Sequence, residues 1–265
     1  VDFSKAQFEG LLADIGAGLD DLSMRLNQVE PAAIAAANRW FVPDFLAEEI
    51  LWLGRESFKV GKEIFDFLVD LLKGATAPIF MFMDAWDWMD VRGSASAVGS
   101  ALSSQHLVVD NSDWSGKARD AYVNSVASHS DAASHISSLA SSTSNHLLLC
   151  AGAGAAFYTT LAVVVAKLIT ATIAAITAFG SGVFSPVGAA LILEEAGVNT
   201  AIVWAAISTL SAFLASQAST MVTLHGEAVD NSSFPAGKWP SPNSSTFNDA
   251  TVKDGDADWS LAPPK

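Results

Sequence analysis

Asp110-Asn111-Ser112-Asp113-Trp114-Ser115-Gly116-Lys117-Ala118-Arg119-Asp120-Ala121-Tyr122 is the stretch on which the fold turns. It is a polar break between two long helical patterns. The second pattern opens with Ala118, Ala121 and Tyr122. A large aromatic followed two residues later by Gly, then by small residues at helical spacing, has a physical use. The Trp covers the end of a helical hairpin while the Gly lets the chain turn tightly.

Working outward, Ser94 to Val109 reads as the first arm of that hairpin. It continues an aromatic-dense run carrying Phe80, Phe82, Trp86, Trp88 and Met89. Such runs form either a bundle core or a binding surface. The second arm runs from about Ser115 to Asn145 with a thin stripe of Ala118, Tyr122, Val126, Ala133, Ile136 and Ala140. A stripe this small demands a close packing partner and does not support an isolated helix.

Toward the N-terminus, Phe3, Phe8, Leu11, Leu12, Ile15, Leu19, Leu22 and Leu26 recur at helical spacing. Glu30-Pro31 is expected to break that helix, with Pro31 opening a second, Ala-rich one. Asp44 to Lys73 is a further amphipathic helix, capped by Asp44 and stopped at Lys73-Gly74. Trp52-Leu53-Gly54 lies inside this helical pattern with no turn residues beside it, and reads as packing.

Beyond the hairpin, Leu147 to Gly182 is apolar or small apart from Lys167, and Val183 to Leu224 carries only Glu194 and Glu195. Pro186 and Gly197 are expected to interrupt the second run. Together they predict an apolar helical hairpin turning near Gly180-Ser181-Gly182. Each run exceeds the roughly 20 residues needed to span a bilayer. Against spanning stand the Ala/Gly/Ser/Thr richness, the three charges inside the runs and the lack of a basic flank. A buried small-residue hairpin and a membrane-inserting one therefore both stay open, since close small-residue packing serves either.

After Glu227, clusters of Asn, Ser, Pro and Gly mark irregular chain. Trp239, Phe247 and Trp259 recur in it. A disordered tail is usually poor in aromatics, so these rings are expected to anchor parts of the tail to the bundle. The resulting division is residues 1–81, amphipathic helices; 82–146, the hairpin; 147–226, the apolar hairpin; and 227–265, the tail. The fold class expected is all-α, an elongated helical bundle.

Composition narrows the function. Of 265 residues 51% are hydrophobic, and a net charge of −14 disfavours nucleic acid. Cys150, the single cysteine, excludes an intrachain disulfide and sits among apolar residues as a packing thiol. The N-terminal residues lack the pattern of a cleaved signal peptide. His106, His129, His135, His146 and His225 form no metal motif. His135 and His146 share a helix face but lie roughly 16 Å apart, too far for one ion. Asp254-Gly255-Asp256-Ala257-Asp258 lacks the Gly and Glu of a calcium loop. The expectation is no catalysis, no cofactor, no metal and no small-molecule substrate.

Trp114-Ser115-Gly116, with Ala118, Ala121 and Tyr122 after it, resembles the Trp-x-Gly superfamily of type VII secretion substrates, over about residues 82–146. Phe234-Pro235-Ala236-Gly237-Lys238-Trp239-Pro240 resembles the closing segment of longer actinobacterial members. The resemblance implies an antiparallel helical hairpin, with Trp114, Gly116, Ala118 and Tyr122 shaping its turn and docking surface. It also implies a secreted or cell-envelope location without a signal peptide, and a protein partner: another helical-hairpin secretion protein or a second copy. Two departures stand out. The family's export signal, a Tyr with an acid four residues later, is absent: Val126 follows Tyr122 and Ala162 follows Tyr158 at that offset. The family's second helix can also carry two His eleven apart with an acid four after the first; His135 and His146 have that spacing, but Leu139 stands at the acid position. Export would then rest on a partner's signal. The alternative function is a membrane-active protein that inserts residues 147–224.

Overall fold

A computed structural model of the chain describes residues 4–103, 117–181, 186–241, 247–248 and 260–261. The side chains of residues 117, 118, 121, 186–196, 247, 248, 260 and 261 are not among those described. The fold is all-α: α1 is Lys5–Ala37, α2 Asp44–Leu72, α3 Ala77–Ala101, α4 Lys117–Gly180 and α5 Pro186–Ala228. A 3-10 turn follows at Pro235–Gly237. Among the described residues the only strands are the two-residue β1 (Phe247–Asn248) and β2 (Ser260–Leu261), paired antiparallel.

Two expected helix breaks are corrected. α1 runs through Pro31 without interruption. Pro31 is exposed, as is Asn27, whose carbonyl loses its helical donor to the proline, so water can satisfy that oxygen. The buried stripe Val29, Ala33, Ala36 and Ala37 continues past the proline and holds the last turns in place. α5 likewise runs through Gly197, where a single Gly costs a helix only about 1 kcal/mol. Pro186 opens α5 at its first position, where its missing N–H has no helical acceptor to lose.

The chain packs as two compact units: Val1–Met83 with Leu147–Gln217, and Asp84–His146 with Ala218–Lys265. In the first unit, α1 and α2 supply Phe8, Ile15, Leu19, Leu22, Leu26, Ile64 and Leu68. They enclose the α4 face of Phe157, Tyr158, Leu161, Val164, Val165 and Leu168, with Val203 from α5. A second cluster joins Val29, Ala33, Ala36 and Ala37 of α1, Ile50 and Leu53 of α2, and Ala175 and Phe179 of α4. Small residues set these distances. A Cβ on Gly54 would collide with that of Ala33, and one on Gly18 would lie 2.8 Å from Val165 Cγ1. Gly54 thus serves the α1–α2 contact, while Trp52 stays 53% exposed.

Polar bonds close the ends of this unit. Tyr158 Oη donates to the Leu71 carbonyl at 3.1 Å. The Arg39 guanidinium, from the α1–α2 connection, donates to the carbonyls of Gly180 (2.7 Å) and Ser181 (2.6 Å). It thereby caps the C-terminus of α4, where free carbonyls and the helix dipole favour a cation.

Candidate interaction surface

The second unit contains the segments that flank Trp114-Ser115-Gly116. Trp114 and Gly116 lie outside the described residues, and so does the side chain of Ala118. The helices on either side are described. Ser130 Oγ on α4 donates to the Gly99 carbonyl of α3 at 2.8 Å, and Ser144 Oγ donates to the Ala85 carbonyl at 2.8 Å. The pairs run in opposite directions along the two helices, so α3 and α4 are antiparallel here. Both pairs have the same sequence midpoint, between Trp114 and Ser115.

The contact is close because its residues are small. Ala85, Ala132, Ala133 and Ala140 are each at most 1% exposed. A Cβ on Gly99 would lie 3.0 Å from Ser134 Oγ and 3.4 Å from the Ser130 carbonyl oxygen. Ser144 is buried, and its hydroxyl would be costly there without the Ala85 carbonyl. The aromatic run of α3 has a different fate: Trp86 is 63% exposed and Trp88 40%. Tyr122 also stands exposed on α4.

The tail returns to the same helix. Trp239 Nε1 donates to His129 Nδ1 at 2.6 Å, with the two rings nearly parallel and their centroids 5.9 Å apart. One turn and a half further along α4, His135 Nε2 donates to the Glu227 carbonyl at 3.1 Å and its ring packs on Phe234. Between these anchors the chain folds on itself. Asp230 Oδ1 accepts from the Ser232 amide and Asn231 Oδ1 from the Ala236 amide, both at 2.7 Å. Ala236 and Gly237 both adopt left-handed conformations, φ 55° and 69°. The Ser232 amide holds the Asp230 carboxyl below its usual range, with a smaller contribution from His135. Of the other expected tail anchors, the side chain of Phe247 and all of Trp259 lie outside the described residues.

No family model, curated protein or solved structure matches this chain.

The remaining sequence candidates fall elsewhere. Lys167 is exposed on α4, Gly180 accepts from Arg39, and Glu194 and Glu195 lie in the part of α5 whose side chains are not described. Gly182 is also outside the described residues. Cys150 is buried. No group of three His, Cys, Asp or Glu side chains could hold a metal ion among the described residues. Near the end of α2, Asp70 accepts from Lys73 and holds its ammonium above the usual lysine range.

Among the described residues two helical segments are long and apolar enough to cross a membrane, Tyr122–Gly180 and Gly197–Ala228. In the most apolar window of each, 33% and 11% of residues are buried. The apolar runs read from the sequence, Leu147 to Gly182 and Val183 to Leu224, overlap these segments without sharing their bounds. Sequence reading did not find the His129–Trp239 contact, because residues 110 positions apart give no periodic signal.

Proposed function

We propose that this chain is a non-catalytic protein of the type VII secretion system, a substrate or secretion-associated partner that works through protein–protein contact. The observation that carries the reading is the antiparallel pairing of α3 and α4, in which the Ser130–Gly99 and Ser144–Ala85 hydrogen bonds share a midpoint between Trp114 and Ser115. That is where a Trp-x-Gly hairpin would turn. The tail supports it as well: Phe234 and Trp239, from the segment resembling the end of longer actinobacterial members, lie against the second arm. Export proceeds with a partner that carries the Tyr-x3-acid signal this chain lacks.

The test is Trp114→Ala in the full chain. Burying a Trp is worth roughly 2–3 kcal/mol, so the variant should melt earlier and no longer co-purify with its secretion partner. Unchanged melting together with unchanged co-purification would sink this role.

A second reading, a membrane-active protein, is favoured by one observation: only 11% of the most apolar window in Gly197–Ala228 is buried. Apolar helix surface so poorly covered suits lipid as well as protein. Liposome flotation with dye release separates the two. A chain that stays monodisperse without detergent and inert toward liposomes removes the membrane reading.

A further inference from the structure

The first unit holds an open groove of about 530 Å³ between α2 and α5, and no feature of the hairpin reading accounts for it. One wall is Val60, Ile64 and Phe67, the other Gly197, Thr200 and Trp204. Both triplets recur at helical spacing over seven residues, so the apolar walls extend two turns, roughly 10 Å. Phe67 and Trp204 stack across the groove with centroids 5.8 Å apart, yet Trp204 remains 56% exposed. Gly197 is exposed, and a Cβ there would meet nothing within 4 Å, so the groove is open at this point.

Among the described residues one charge lines the groove. Glu63 is exposed and has no ion-pair partner among the described residues. Its neighbours on α2 are engaged elsewhere, Lys59 with Glu56 and Lys62 with Asp66. A carboxylate and a half-exposed indole lining one groove are the chemistry that receives a cation on an apolar stem. A second copy of this chain would bring another net charge of −14 to that carboxylate. A lipid tail would have to desolvate it.

We propose that this groove receives a helix of a partner protein, with an arginine or lysine directed at Glu63 and Trp204 and apolar side chains along the two walls. This is helix-in-groove recognition, with anchors spaced three and four residues apart. It concerns a surface distinct from the Trp114 hairpin and holds whether or not the chain serves secretion.

The test titrates the full chain with a synthetic helical peptide of leucine and arginine, and with its leucine and glutamate counterpart, by calorimetry. The arginine peptide is expected to bind and the glutamate peptide to give no heat. Gly197→Leu places its Cβ in open space and should weaken binding about tenfold while leaving the melting temperature equal or higher. Glu63→Gln should weaken it about as much. Glu49→Gln, an exposed acid on the same helix outside the groove, should change nothing. Equal weakening by Glu49→Gln and Glu63→Gln would mean diffuse charge attraction and overturns the proposal, as does full affinity in Gly197→Leu. Binding to phosphatidylcholine vesicles that Gly197→Leu abolishes would make lipid the occupant and overturn it too. A Trp114→Ala chain should still bind the arginine peptide, which separates failure here from failure of the hairpin reading.

Discussion

Ser130 Oγ donates to the carbonyl of Gly99 at 2.8 Å, a bond from the side chain of α4 directly to the backbone of α3. A Cβ on Gly99 would meet Ser134 Oγ at 3.0 Å, whereas one on Gly93, six residues earlier on the same helix, would meet nothing within 4 Å. Gly99→Leu should therefore destabilise the second unit by about 1–3 kcal/mol through overpacking. Gly93→Ala should stabilise α3 by about 0.5–1 kcal/mol, the ordinary gain in helix propensity. Thermal melts of both variants check the contrast, and two shifts of the same sign would contradict it.

The Trp239–His129 bond needs an unprotonated Nδ1, because an imidazolium has no acceptor nitrogen. Trp239→Phe keeps a ring but removes the donor. Its expected cost is about 0.5–1.5 kcal/mol, felt as faster proteolysis of residues 227–241 with α1 and α2 unaffected. A cleavage pattern identical to that of the parent chain would show that the bond does not hold the tail.

The turn at Asp230 has a defined pH response. Its carboxyl is held below the usual aspartate range by accepting from the Ser232 amide. A lowered folded value means that the charged form is favoured by folding. The stabilisation is complete above the unfolded aspartate value and is lost as pH falls through the folded one. The amide resonance of Ser232 should move with that low-pH titration and stay fixed above it. In Asp230→Ala the movement should vanish.

Gly54 predicts a specific failure in the first unit. Any side chain there collides with Ala33, because α1 and α2 touch at that point. Gly54→Leu should cost about 1–3 kcal/mol. Gly10→Ala, on the open face of α1, should cost nothing. Chemical denaturation of the two variants measures both effects.

Much of the helical framework is legible in the sequence because it rests on local signals. Lys73-Gly74 ends α2 as a stop does, and the apolar periodicity of α1 is unambiguous. Asp44 opens α2 as its first residue and does not cap it, because Pro43 holds the N-cap position with no side-chain bond to the helix. Pro31 and Gly197 mislead because local propensity says break, while a buried stripe on one side and exposure on the other allow the helix to continue. The hairpin arms are visible as two patterns around a polar break, but their register depends on Ser130 and Ser144, which look like surface serines in a Ser-rich run. The groove beside Glu63 is invisible in sequence, since it exists only where residues 60–67 and 197–204 lie side by side.

The most direct test of the type VII proposal is fractionation of the native host with an intact and with an inactivated type VII ATPase, following this chain and its Trp114→Ala variant. The chain should reach the envelope or medium only with the active machinery, and the variant should stay in the cell in both strains. An identical distribution of the parent chain in the two strains would contradict the proposal.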